Sequence, residues 1–204
     1  MKKTNKWAGI IALIIFITVG LTSCATVKNQ NSLKPVYVTN TKKIRLLSTD
    51  NISNPIDQVQ MLKGKFGDTS FSLLSYTQID DQQISLSLFT DFGNDMGSLY
   101  YDGNSVILDS AFVPEKLPAE YIVADIQNAF YDFESLRENY LKAGLTFEAN
   151  EEVQRGVDGR ETSYIVRRIT DGKKLIEEIT ILNNTITIKN FLRGYEYQLI
   201  RAEE

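Results

Sequence analysis

Apolar and polar residues alternate along Ile84-Ser85-Leu86-Ser87-Leu88. Successive side chains on a strand point to opposite faces, so this pattern predicts a strand with one face buried. Residues 71–79 (FSLLSYTQI) are rich in β-forming types, and strand-like patterning begins near Gln58. It returns in residues 162–169, 175–182, 185–188 and 195–200. Turn-forming pairs punctuate both runs: Gly67-Asp68, Asp80-Asp81, Asp102-Gly103, Asp158-Gly159, Asp171-Gly172 and Asn183-Asn184. Asp-Gly suits tight hairpins, which need positive φ. Between the two runs the period becomes helical. Pro118 and Glu120 suit a helix start, and Ile122, Ile126, Ala129, Phe130 and Phe133 recur on one face. Asp132 offers an N-cap to a second helix with Leu136 and Tyr140 on its apolar side and Gly144 at its end. Meander, helix pair, meander predicts an α+β fold: one antiparallel sheet with the helix pair over its concave face. Roughly ten strands exceed what a flat sheet tolerates, so strong curvature, an incomplete β-barrel, is expected.

A different pattern opens the chain. Lys2, Lys3 and Lys6 precede residues 7–21, WAGIIALIIFITVGL, which carry no charge. As a helix this run spans about 22 Å, short of a bilayer core of about 30 Å. It therefore reads as the apolar region of a secretory signal rather than a spanning helix. Leu21-Thr22-Ser23-Cys24 follows and resembles the lipobox of bacterial lipoproteins. There the cysteine sulfur takes a diacylglyceryl group and the signal is cut before it. Cys24 is the sole cysteine, so it has no disulfide partner within the chain. Residues 24–43 are polar and without sustained period, as in a tether. The expected organisation is a signal peptide over 1–23, a tether over 24–43 and one domain over 44–204. Ala25 stands where many inner-membrane lipoproteins of enteric bacteria carry aspartate. The expected location is thus the periplasmic face of the outer membrane, with acylated Cys24 as the anchor.

Composition narrows the chemistry. Removing the signal leaves 181 of 204 residues and moves the formal charge from −4 to −7. That length suits one domain with a sizeable core, and an acidic chain without a basic block argues against nucleic acid. The chain has no histidine, which removes the commonest general base and metal ligand. With Cys24 modified, no thiolate remains. Asp91-Phe92-Gly93 spells a kinase motif but lacks the loops that accompany it. Glu151-Glu152 and Glu177-Glu178 are neighbours that split between strand faces and read as solvated surface. Arg167-Arg168 divides in the same way, leaving at most one arginine inside. No catalytic constellation, metal site or cofactor is expected, and the chain does not read as an enzyme.

The stretch DFGNDMGSLYYDG (residues 91–103), followed by LPAEYIVADIQNAFYD (117–132), resembles bacterial lipoproteins grouped as domain of unknown function 3261. In that family a glycine-containing loop precedes a strand ending in Tyr-Asp-Gly, and a Leu-Pro leads into a helix close to Ala124-Asp125-Ile126-Gln127. Tyr131-Asp132 stands where the family often has an aromatic-proline pair. The resemblance covers residues 59–200 and implies likeness to the LolA/LolB lipoprotein carriers, incomplete barrels with helices over an apolar concave side. The expected function is binding or carrying lipid or acyl groups in the cell envelope. A structural lipoprotein that binds an envelope protein partner is the alternative. The expected cavity wall comprises Ile84, Leu86, Leu88, Leu99 and Tyr101 from the sheet, with Ile122, Ile126, Phe130 and Phe133 from the helices. The LolB likeness also implies a protruding loop in contact with membrane or partner, here carried by Phe92 and Met96.

Overall fold

The computed structural model describes residues 33–110, 118–156 and 159–201. Residues 1–32, which hold the expected signal, Cys24 and most of the tether, lie outside the described residues. The first meander comprises β3 (Ile56–Phe66), β4 (Thr69–Ile79), β5 (Ile84–Phe89), β6 (Asp95–Tyr101) and β7 (Val106–Asp109). Helices α1 (Ala119–Phe130) and α2 (Phe133–Lys142) follow. The second meander is β8 (Thr146–Arg155), β9 (Glu161–Asp171), β10 (Lys174–Leu182), β11 (Thr185–Asn190) and β12 (Tyr195–Arg201). Two short strands, β1 (Val36–Tyr37) and β2 (Lys43–Ile44), precede them as a separate antiparallel pair.

The fold is α+β, built on one ten-stranded antiparallel sheet in the order β7-β6-β5-β4-β3-β12-β11-β10-β9-β8. The meanders join where β12 pairs with β3, from Tyr195 opposite Phe66 to Arg201 opposite Gln60. Consequently β7 and β8, consecutive strands in the chain, lie at opposite edges of the sheet. The helices between them contact strands toward both edges: α1 meets β7, β10 and β11, while α2 packs on β8. The sheet is open and not strongly curled. The expected strong curvature is therefore replaced by a gentler sheet whose inner face the helices cover. Its two edge strands need no mutual pairing.

The alternating positions do what their pattern requires. Ile84, Leu86 and Leu88 are buried on β5, and Leu99 and Tyr101 on β6. Cross-strand register aligns Leu86 with Leu99 and Ile84 with Tyr101. Asp132 caps α2 by accepting from the Ser135 amide at 2.9 Å, and Leu136 and Tyr140 are buried beneath. Gly144 ends this unit at φ +71°, a conformation few other residues adopt cheaply. Residues 33–43, expected as tether, are packed onto the domain. Val36 and Val38 are buried in the main core, and Lys42 Nζ bonds both the Gly144 carbonyl and the Asp171 carboxylate at 2.6 Å. The polar residues around two valines conceal the packing from a reading of composition. Among the described residues, no helix is long and apolar enough to cross a membrane.

Candidate functional site

Between α1 and the half-sheet β3–β7 with β12 lies a cavity of about 310 Å³. It sits near the lower end of small-molecule sites, roughly 300–1,000 Å³. Helix α1 supplies Tyr121, Ile122, Asp125, Ile126 and Phe130 to its wall. The first meander supplies Leu62, Phe66, Phe71, Thr77, Leu86, Leu88, Leu99 and Leu108, and β12 supplies Tyr195, Tyr197 and Leu199. Gly64 explains one stretch of this wall. It pairs with Phe71 on β4 and Tyr197 on β12, and a Cβ there would lie 2.2 Å from Phe71 Cζ. The missing side chain lets the Phe71 ring lie across the strand.

Six of the nine expected wall residues meet at this cavity: Leu86, Leu88, Leu99, Ile122, Ile126 and Phe130. Ile84 and Tyr101 do not line it. They lie further along their strands, fully buried, where residues 46–52 close that end of the core. Tyr101 Oη donates to the Leu47 carbonyl at 2.8 Å, and Gln127 grips the Leu47 amide and carbonyl at 3.0 and 2.7 Å. Phe133 is also elsewhere: it starts α2 and packs on Phe147 of β8, ring centroids 5.7 Å apart. Ala129 faces Ile179 and Ile188 rather than the cavity.

The second meander and the polar members of the wall were not expected. Asp125 is buried and accepts from Tyr195 Oη at 2.7 Å and Tyr197 Oη at 3.2 Å. Behind it, Glu177 accepts from the amides of Asn128 and Asn190, each at 2.9 Å. Tyr140 Oη donates to Asn128 Oδ1 at 2.9 Å. Burial raises both carboxyls above their ordinary range, and each acid's proximity to the other favours one shared proton. Glu177 already accepts from two amides, so Asp125 is the natural holder of that proton. Glu177 was expected on the solvated surface. A β-bulge overturns this: the β9–β10 register shifts between Leu175 and Glu177, and Ile176 and Glu177 are both buried. Glu178 stays on the other face and bonds Arg168 at 2.7 Å. Arg167 turns inward and donates to the Asn128 and Tyr131 carbonyls at 2.8 and 3.1 Å. Its charge thus meets the negative end of α1 and fixes the helix over the sheet. Among the described residues, no group of three acidic, histidine or cysteine side chains is placed to hold a metal.

Phe92 stands apart. It is 92% exposed at the tip of the β5–β6 hairpin. Thr90 and Asn94 close that tip through Thr90 N to Asn94 O at 2.9 Å, with Gly93 at φ +79° and its amide on Thr90 O at 2.8 Å. A bonded turn with a left-handed glycine holds its shape, so Phe92 is presented rather than loosely displayed. Met96 is different. It occupies the bulge between the Leu88–Gly97 and Phe89–Asp95 pairs and packs, partly buried, on the core. Asp95 and Gly97 flank it in β6, so the exposed loop ends at Asn94.

The model of the family described as Protein of unknown function (DUF3261) matches residues 57–201. The chain belongs to that family. The DUF3261 match runs from the second residue of β3 to the last of β12, so it takes in the sheet, both helices, the hairpin and the whole cavity wall. The β1–β2 pair and Cys24 precede it. No curated protein matches the chain.

Proposed function

We propose that this protein is a lipid-anchored carrier or acceptor in the bacterial envelope, attached through acylated Cys24, that shelters an acyl chain between α1 and the sheet. The apolar cavity of about 310 Å³ is the observation that carries the reading. Left unfilled, such a space leaves its apolar wall without packing partners, which costs stability. An acyl chain removes that cost and gains about 0.8 kcal/mol for each CH₂ taken from water. A scaffold lipoprotein has no use for such a space, since scaffolds pack to crystal-like density. An open antiparallel sheet covered by helices also agrees with a LolA/LolB-like architecture in a less curled form. The exposed Phe92 gives such a carrier a point of contact with membrane or partner.

The test is mass spectrometry of lipids that stay non-covalently bound to the purified full chain, beside an Ile126→Trp variant that fills the cavity. Near-stoichiometric lipid on the native chain and its loss from the variant, with thermal stability kept, supports the carrier. No bound lipid on either, at equal stability, sinks it in favour of the scaffold.

A further inference from the structure

The cavity wall carries its charge in one quarter, and that charge is unbalanced. Asp125 lines the cavity with Tyr195 and Tyr197 beside it. Glu177 lies directly behind, held by Asn128 and Asn190. Neither acid makes an ion pair among the described residues. The cation that acts on Glu177 is Arg193, and it is already engaged: its guanidinium stacks on Tyr121, 4.4 Å from the ring centroid, and donates to the Tyr37 carbonyl. Their proximity favours one shared proton, which leaves one negative charge in an apolar surround. There it repels a second anion far more strongly than it would in water.

The hydrogen-bonding valences are equally specific. Both tyrosine hydroxyls spend their proton on Asp125. Tyr195 Oη also accepts from Asn190 Nδ2 at 3.4 Å. Tyr197 Oη accepts from no group among the described residues, and a hydroxyl oxygen has two lone pairs. What this part of the wall lacks is a neutral donor to Tyr197 Oη; the other hydroxyls that line the cavity, on Thr69, Thr77 and Ser98, belong to β4 and β6.

We propose that the ligand is an apolar chain ending in an uncharged hydroxyl-type group, which donates to Tyr197 Oη beside Asp125, and that chains ending in carboxylate or phosphate are refused at this end of the cavity. This rests on the carrier reading and names its ligand class. An ammonium-ended chain is the weaker fit, because the Asp125 oxygen facing the tyrosines already accepts two hydrogen bonds and the ammonium must shed its water to enter.

The test uses dodecyl probes bearing the same mid-chain diazirine and ending in hydroxyl, carboxylate or ammonium. They are photolysed with the detergent-purified full chain at mildly alkaline pH, and labelled peptides are mapped by mass spectrometry. Expected is labelling of the peptides containing Leu86–Leu88 and Ile126 by the hydroxyl probe about ten-fold above the carboxylate probe. In Asp125→Asn/Glu177→Gln, the carboxylate probe rises to match the hydroxyl probe. Tyr197→Phe, which keeps the ring, guards against a double variant that fails to fold: hydroxyl labelling falls about five-fold and carboxylate labelling is unchanged. Equal labelling by hydroxyl and carboxylate probes on the native chain, or strongest labelling by the ammonium probe, overturns the ligand class while leaving the carrier intact. Hydroxyl labelling undiminished in Tyr197→Phe overturns it as well. Cavity peptides that take no probe at all remove the carrier reading and this inference together.

Discussion

Asp125 and Glu177 make the protein's stability depend on pH in an unusual direction. Burial raises Asp125 from its ordinary 3.8, with the charge of Glu177 adding to the rise, and burial raises Glu177 from its ordinary 4.5. At neutral pH the unfolded chain therefore binds fewer protons here than the folded one. The stabilising contribution is complete below the ordinary carboxylate range and is lost as pH rises through the raised values. Asp102 and Asp132 shift the other way, chiefly because backbone amides bond their carboxylates, so their contribution is lost only as pH falls through their lowered values. Above about pH 5 the buried pair alone sets the slope of these four groups. Urea unfolding from pH 5 upward is expected to show stability declining in the native chain and a flatter profile in Asp125→Asn/Glu177→Gln. A native profile that rises over that range would show the acids to be ionised and paired. Gly64 gives a second test at the same scale. Gly64→Ala forces the Phe71 ring off its strand at a cost of about 1 kcal/mol, the low end for overpacking because the ring edge can move. The displaced ring enters the cavity, so lipid occupancy should fall further than stability does. Occupancy equal to the native chain's would mean that Phe71 has another place to go.

Among the elements, the β5–β6 hairpin has the clearest separable role. Phe92 touches little of its own domain, so Phe92→Glu should move the melting temperature by no more than about 2 °C, as expected of a surface substitution. Under the carrier reading, the same change should weaken transfer of lipid to liposomes. A large loss of stability, or undiminished transfer, counts against a contact role. Helix α2 is a structural counterpart: Asp132→Ala removes its cap and should cost about 1 kcal/mol. Both meanders, both helices and that cap were legible in the sequence, because alternation, helical spacing and capping residues are local signals. Three features were not. Strand β8 is spelled TFEANEEVQR, too acidic to look like a strand, yet it pairs with β9 from Thr146 opposite Thr170 to Arg155 opposite Glu161. As an edge strand it buries one large side chain, Phe147, and tolerates that composition. The Ile176–Glu177 bulge breaks the period-two rule that assigned Glu177 to water, and nothing adjacent in sequence marks it. The cavity's second wall comes from β12, whose pairing with β3 joins residues 129 to 141 positions apart. Alternation identifies both strands without saying that they meet.

At the scale of the molecule, two kinds of lipid contact are proposed, and they are independent. One is covalent, at Cys24; the other is the cavity, formed wholly within the family match. One acyl chain holds a protein to a membrane only marginally, whereas two or three hold it stably, so the lipobox reading requires a multiply acylated Cys24. The first described residue, Leu33, lies nine positions on. A chain of that length reaches at most about 30 Å, so an anchored domain would stay near the bilayer. Cys24→Ser should therefore leave an unprocessed precursor that retains residues 1–23, visible as a larger intact mass with no added acyl groups. Its cavity should still retain non-covalent lipid, because no wall residue precedes Leu62. If the variant instead matures to the native size and fractionates with membranes, Cys24 is not the anchor. If it loses cavity lipid while folding normally, the retained lipid belongs to the anchor and not to the space beneath α1.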